Sequence, residues 1–339
     1  MIKKIYKWFY SLFYSWDWVQ IEPTSACPHR CFYCPKEVYS HVWRLRFLGL
    51  SVYKKFLLQL KKFSSVKLIH IQGWGEPFLH PNLLDMIKIA KNCGFIVGTT
   101  TSGMSFKPEF LQKLVESKID ILAFSLAGFQ KRNDLIRTGT EYKKILEIIE
   151  RILKIKENLN VSTPRIHIAY MWLRSNYEDL KQVLSDLKLL DISQVVIHTL
   201  SFVTKEELEK EVIYPEPAIL DFIKEVNSIY SSDKHWIYFY LPKVGMPPST
   251  CPENIEHACF ITADGKVAPC VFHQIPVTEP VPYFFTGKKL MYLPSDFGSI
   301  IKEDIYTLWG KRDYKSFRKN FLSHYLCSNC YKPYFKYYS

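Results

Sequence analysis

The chain has 339 residues, 47% of them hydrophobic, with 22 Tyr and 23 Phe. That length exceeds one small module and suits a barrel-sized domain with a smaller unit beside it, while the apolar share is that of a packed core and excludes a disordered chain. The 45 Lys and Arg against 33 Asp and Glu give a formal charge of +12, which permits an anionic partner, but the lysines are spread over helix-like faces and no apolar run reaches the ~18 residues of a membrane span.

Residues 1–16 place Ile2, Ile5, Tyr6, Phe9, Leu12, Phe13 and Trp16 on one helical face, with Lys3, Lys4 and Lys7 off it. Lys7 interrupts the apolar run and no small-residue cleavage site follows, so this is not a signal peptide. Two readings stand for the segment. One is a helix packed on the floor of the main domain. The other is an interfacial helix, with lysines on anionic headgroups and aromatics at the acyl boundary.

A strand over 17–22 follows, stopped by Pro23. The loop after it carries Cys27-Pro28-His29-Arg30-Cys31-Phe32-Tyr33-Cys34, a C-x3-C-x2-C spacing. Three close thiolates hold three corners of a [4Fe-4S] cluster, whereas a closed cluster takes four cysteines. The next cysteine is Cys93, far along the chain and beside the helix-ending Gly94, where it reads as core. One iron is therefore left open for a ligand, by the logic that separates catalytic from structural zinc sites. The competing reading is a zinc knuckle completed by His29 or His41. The octet resembles the signature of the radical S-adenosylmethionine (SAM) enzymes, with Tyr33 matching their usual aromatic before the last cysteine. The resemblance implies that the open iron chelates the amino and carboxylate groups of SAM. It also implies that an electron cleaves the cofactor to methionine and a 5′-deoxyadenosyl radical.

From 17 to about 200 the pattern alternates. Strands are expected at 17–22, 67–72, 95–101, 120–126, 165–172 and 194–200, with amphipathic helices at 51–62, 81–92, 108–117, 141–157 and 177–190. Asn176 is placed to cap the last helix and Gly94 to stop the second. Such alternation means a parallel α/β sheet with right-handed crossovers, and chemistry at the C-terminal strand ends. Six repeats suit an open doubly wound sheet or a partial (β/α)6 TIM-like barrel, and the resemblance selects the barrel.

The second strand ends in Gly73-Trp74-Gly75-Glu76-Pro77, where glycines allow close backbone approach and Glu76 adds an anion. This resembles the family's G-G-E-P motif, which binds the methionyl ammonium of SAM, and departs from it at Trp74. It also resembles the presumed maturases that accompany tungsten oxidoreductases. By resemblance Ser102 and Ser125, at the ends of strands three and four, bond ribose or carboxylate oxygens. Arg137 matches an arginine that pairs with the cofactor carboxylate, a bidentate task suited to guanidinium. Tyr170, Arg174 and His198, near the ends of strands five and six, reach cofactor or substrate only if they face inward.

A helix is expected at 217–230 and a strand at 235–241, before a linker marked by Pro242, Pro247 and Pro248. The C-terminal unit then presents Cys251, Cys259, Cys270, Cys327 and Cys330. Asp264-Gly265 reads as a two-residue type I′ hairpin turn, which places Cys259 opposite Cys270 on one face. Four or five thiolates converging on one place are enough to close a cluster, or to make a zinc ribbon. This half resembles the twitch or shortened SPASM extension of radical SAM enzymes, which implies one auxiliary [4Fe-4S] cluster. The expected ligands are Cys251, Cys270, Cys327 and Cys330, with Cys259 a substitute or a free thiol beside them.

The reading is a radical SAM enzyme with segments 1–16 (amphipathic helix), 17–240 (core barrel) and 241–339 (auxiliary-cluster unit). The family resemblance implies an electron donor such as a ferredoxin or flavodoxin and a peptide or protein substrate, while the basic aromatic N-terminus points instead to a membrane lipid or another membrane-borne substrate. Clustered thiols place the chain in the reducing cytoplasm, peripheral at the membrane if residues 1–16 touch it. The rivals are an iron–sulfur electron-transfer protein and a zinc-containing nucleic-acid binder. No nucleic acid is expected.

Overall fold

Seven strands run parallel and in chain order: β1 (Trp18–Ile21), β2 (Leu68–Ile71), β3 (Ile96–Thr101), β4 (Ile121–Leu126), β5 (Arg165–Met171), β6 (Gln194–His198) and β7 (Ile237–Pro242). The computed structural model describes residues 16–62, 65–106, 108–230, 237–242, 251–332 and 334–337. One helix crosses back between each pair of strands. These are α1 (Leu50–Leu60), α2 (Leu83–Asn92), α3 (Pro108–Glu116), α4 (Tyr142–Asn158), α5 (Asp179–Leu187) and α6 (Pro217–Tyr230). Because strand order equals chain order, right-handed crossovers put every helix on the same face, so the sheet is singly wound. That is the expected partial (β/α)6 barrel, with β7 added as a seventh parallel strand.

Period-two alternation sorts the faces. Ile69, Ile71, Val97, Leu122, Phe124, Ile166, Ile168, Val195 and Ile197 are buried in the core shared with the helices. His70, Thr100, Ser125, His167 and His198 stand half-buried on the other, inner face. Burial, then Arg165 and then His70 lower the basicity of His167.

Helix α4 shows how the sequence builds the outer layer. Tyr142, Ile145, Ile148, Ile149, Ile152 and Lys156 recur at helical spacing and are buried, and the Asp134 carboxylate accepts from Tyr142 N at 2.7 Å. Gly94, at φ +90°, follows α2 as expected. Asn176 does not cap α5. Its Oδ1 accepts from Leu173 N at 2.8 Å and its Nδ2 donates to Met171 O at 3.0 Å, so it ties off the end of β5. Asn side chains compete for nearby backbone in this way wherever the chain turns.

The C-terminal part joins the same sheet at both edges. Strand β8 (Ala258–Ile261) lies parallel to β1, with β9 (Val267–Ala268) antiparallel beside it. A separate hairpin is formed by β10 (Val281–Phe285) and β11 (Lys288–Tyr292), and β12 (Tyr334–Tyr337) runs antiparallel to β7. The sheet thus crosses the boundary expected near residue 240. Helices α7 (Ile305–Gly310) and α8 (Arg312–Lys319) complete this part. Tyr306 Oη donates to Gln59 O at 3.0 Å, and Trp309 meets Trp16 at 4.2 Å between ring centroids. Apart from Trp16, the expected N-terminal helix lies outside the described residues, as do Pro247 and Pro248.

The β8–β9 hairpin differs from the expectation in one respect. Phe260 pairs with Ala268 and Ile261 with Val267, and Thr262 N donates to Lys266 O at 3.0 Å. Three residues, not two, therefore form the loop. Gly265 has φ +78° while Asp264 does not have positive φ, which rules out type I′. The register moves by one residue. Cys259 then falls opposite Pro269 rather than Cys270, and a one-residue shift sends a strand side chain to the other face.

Glu22, just past β1, joins these parts. It is fully buried. Its Oε1 accepts from Trp74 N at 2.9 Å and its Oε2 from Ala263 N at 3.1 Å. A Cβ on Gly73 would stand 2.4 Å from Glu22 Cγ, so glycine is required there. Burial raises the carboxyl pKa, opposed by these two N–H bonds and by Arg46. Glu22→Ala leaves two buried amides unpaired, and each such loss costs roughly 1–3 kcal/mol. Urea unfolding of this variant should show a loss of about 3 kcal/mol or more; a loss under about 1 kcal/mol would mean the clamp is dispensable.

Candidate metal centres

The first cysteine loop is held from three sides. Segment 43–48 clasps its root: Ser25 Oγ donates to Arg44 O at 2.6 Å, Thr24 Oγ1 to Arg46 O at 2.8 Å, and Trp43 Nε1 to Ser25 O at 3.1 Å. The loop after β2 closes a second side. Glu76 N donates to Ala26 O at 2.8 Å, and a Cβ on Gly75 would meet Thr24 O at 2.2 Å. On the third side Arg30 and Cys31 pair in a short antiparallel ladder with Thr138 and Arg137.

Cys27, Cys31 and Cys34 are free thiols of intermediate exposure. Burial pushes Cys27 up to about 11, with Glu76 and Cys31 adding to it, and pushes Cys34 up to about 12, with Cys31 and Cys27 adding to it. Buried thiols at Cys27 and Cys34 whose sulfur neighbours oppose their ionisation fit a cationic metal cluster, whose charge removes that opposition.

Ser102 lies at the end of β3, where His29 Nε2 is 2.7 Å from its Oγ. His29 is buried and pushed down to about 4, by burial and then by Arg137, so it is a neutral imidazole. Glu76 is also engaged: Oε1 accepts from Thr101 Oγ1 at 2.7 Å and Oε2 from Ser102 N at 2.8 Å. Arg137 is buried beside Cys31. Its Nη1 donates to Tyr33 Oη at 2.7 Å, and its Nε has no partner among the described residues. Burial works against its charge, but Tyr33 and Cys31 hold the guanidinium above its ordinary value. An unpaired donor on a buried guanidinium fits a carboxylate ligand. Asn133 and Thr140 steady this segment, with Thr140 Oγ1 donating to Arg137 O at 2.9 Å and Ala127 N donating to Asn133 Oδ1 at 2.9 Å.

Ser125 stands on the inner face of β4. His198 is there too, pushed down to about 4 by burial and by Lys332. Tyr170 faces the helix layer instead and is fully buried in that core. Arg174 is an exposed partner of Glu216 at 2.6 Å. Neither reaches the inner face.

A cavity is lined by Cys251, Cys270, Cys327 and Cys330, with Glu253, Phe272, His273 and Lys332. Burial raises all four thiols, with Cys251 and Cys330 at about 12 and about 11. Neighbouring cysteines add to the rise for Cys251, Cys270 and Cys327. Lys332 N donates to Cys330 Sγ at 3.3 Å. This set has the number and chemistry of donors for a closed cluster. Cys259 is not in it: the shifted hairpin register turns it into the main core, where burial raises its thiol well above the usual range.

Two features escaped the sequence reading. Trp74 links the centres: its ring packs on Trp43 and Phe272, at 6.3 and 5.8 Å between centroids, and its Nε1 donates to Val271 O at 3.1 Å, next to Cys270. His273 puts Nε2 3.4 Å from Cys327 Sγ. A lone His three residues after a cysteine carries no sequence signal for this contact.

Comparison with known proteins adds to the geometry. Residues 21–187 match the Radical SAM superfamily, and residues 251–331 match SPASM, an iron-sulfur cluster-binding domain. The chain is 26% identical over 318 residues to the tungsten-containing aldehyde ferredoxin oxidoreductase cofactor-modifying protein of Pyrococcus furiosus, covering 92% of this chain and 86% of that protein. It is 32% identical over 108 residues to a PqqA peptide cyclase of Streptomyces rochei, covering 31% and 28%. The fold resembles Streptococcus suis SuiB bound to its precursor peptide SuiA, with TM-score 0.65, 13% identity, and 93% and 70% of the chains covered. No helix among the described residues is long and apolar enough to cross a membrane.

The inner-face histidines make acid stability testable. His167 and His198 are both pushed from 6.5 to about 4, chiefly by burial. Between those values the unfolded chain binds protons that the native chain refuses, so stability is full above pH 6.5 and falls as pH drops towards 4. The thermal midpoint should therefore decrease from pH 7 to pH 4.5, and the combined His167→Gln and His198→Gln substitutions should flatten that slope. A slope unchanged in the double variant would remove these histidines as its source.

Proposed function

The chain belongs to the radical SAM superfamily and carries a SPASM-type iron–sulfur extension, and from that premise we propose that it is a maturase-type enzyme acting on a peptide or protein. Cys27, Cys31 and Cys34 hold the SAM-binding [4Fe-4S] cluster. Cys251, Cys270, Cys327 and Cys330 hold the auxiliary one in the unit 241–339. When bound, the first cluster and SAM supply reductive cleavage to a 5′-deoxyadenosyl radical that abstracts a hydrogen atom, with a donor such as a ferredoxin or flavodoxin providing the electron.

The chain's own residues bind, orient and shield. Arg137 offers its unpaired Nε to the cofactor carboxylate, held in place by Tyr33 and by the ladder to Cys31. Gly73 and Gly75 let the loop after β2 pack onto the cysteine loop, so that Glu76 comes to the end of β3 beside Ser102. Ser125 faces inward for the ribose. The neutral histidines of the inner face present hydrogen-bonding groups without a competing charge, and the half-buried inner face limits water at the reacting centre.

The single observation that carries the reading is the pairing of an incomplete three-cysteine loop with a four-cysteine cavity in one sheet. The peptide substrate rests on what the relatives act on or bind. The PqqA cyclase acts on a peptide, and SuiB, a likeness of fold, is bound to a precursor peptide.

Anaerobic reconstitution should give about eight iron atoms per chain, as two four-iron clusters require. Reduction with SAM present should yield 5′-deoxyadenosine, and Cys27→Ala should abolish it. Cys251→Ala should lose about half the iron, while Cys259→Ala keeps it all. Absence of 5′-deoxyadenosine from the fully loaded protein would overturn the reading. Deletion of the gene should leave one cellular peptide at its unmodified mass, which peptide mass spectrometry can detect.

A further inference from the structure

We propose that His273 is a positioning residue of the auxiliary centre: it donates a hydrogen bond from Nε2 to the sulfur of Cys327 and so sets that centre's reduction potential. This rests on the reading that Cys327 is a ligand.

Both ring nitrogens are engaged within the fold, and with His324 and Cys327 the ring could also ligate a metal ion, a role the iron count distinguishes. His273 is 1% exposed, so it has no water to turn to. Its Nδ1 lies 2.8 Å from Ser295 Oγ, and its Nε2 lies 3.4 Å from Cys327 Sγ. A metal-bound thiolate has no proton and can only accept. Nε2 therefore carries the hydrogen, and Nδ1 accepts from the Ser295 hydroxyl. The backbone repeats the tie, with Ser295 N donating to His273 O at 2.8 Å. The Phe317 ring stands edge-on to the imidazole at 5.2 Å, and the His324 ring lies at 4.9 Å. His324 turns its own Nδ1 to Leu326 N at 3.3 Å. The His273 ring is thus aimed by Ser295 and walled by Phe317 and His324.

Hydrogen bonds to ligand sulfur are one of the levers by which a protein tunes an iron–sulfur potential. The reduced cluster carries one more negative charge than the oxidised one. A donor on its sulfur stabilises that extra charge and raises the potential. Of the four cavity cysteines, Cys330 accepts from the Lys332 amide and Cys251 is bonded by the Glu253 backbone, whereas Cys327 accepts from a side chain. Cys327 is therefore the sulfur at which the sequence can tune the centre.

The test is an EPR-monitored redox titration of the reconstituted holoprotein, with iron counted on the same samples. His273→Phe fills the ring volume without a donor. At the wild-type auxiliary midpoint its reduced-to-oxidised ratio should fall about tenfold, which for one electron is a shift of about 59 mV to lower potential. The midpoint of the Cys27, Cys31 and Cys34 centre should stay put, and the iron content should remain at about eight. His273→Gln, which keeps an N–H, should recover part of the shift. Ser295→Ala, a milder change that leaves the ring in place, should move the midpoint the same way by less. An unmoved midpoint in His273→Phe at full iron overturns the inference. So does a loss of about half the iron in that variant, since it would make His273 a ligand. Cys327→Ala separates the two levels. If it keeps the auxiliary signal and its iron, the ligand assignment itself has failed; if it loses them while His273→Phe leaves the midpoint in place, only the hydrogen bond has failed.

Discussion

A buried carboxylate holds the two halves of this protein together. Glu22 accepts one backbone amide from the loop after β2 and another from the β8–β9 hairpin. Both loops thereby meet the end of β1, a few residues before the first cysteine. An unsolvated carboxylate is costly, and two N–H donors with a nearby Arg46 make it tolerable. The cost explains a local sequence feature: Gly73 has no side chain because Glu22 occupies the space one would need.

The two candidate centres are parts of one frame rather than beads on a string. β8 extends the sheet beyond β1, so the C-terminal cysteines are built onto the edge that launches the N-terminal ones. Trp74 spans the remaining distance, with its amide on Glu22 and its indole on Val271. At that position a second glycine would leave the auxiliary cavity without its packing partner. The tryptophan that departs from the family motif thus has a structural reason in this chain.

Much of this was legible in the residues. All six expected strands of the first 200 residues, and the seventh after them, form close to their expected bounds, because branched aliphatic runs and helical repeats alternate without ambiguity. The Asp264-Gly265 hairpin was legible as a hairpin but not in its register. Turn length depends on one backbone torsion at Asp264, and composition does not reveal it. That single residue of register decided which cysteine left the cavity. Asn176 was misassigned for a related reason: an Asn that can cap a helix can equally bond back to the strand before it, and only the three-dimensional path chooses.

What the sequence determined by itself was the chemistry: two cysteine groups, one of three and one of four or five, and an alternating α/β chain to carry them. Spacing and periodicity are local properties, written within a few residues of each other. What only the tertiary structure decided was adjacency. The exclusion of Cys259 from the cavity, the approach of His273 to Cys327, the meeting of Arg137 with Cys31 and Tyr33, and the burial of Glu22 between two loops each join residues distant in the chain. Those contacts depend on how strands register and which way side chains face, and both follow from packing the whole sheet at once.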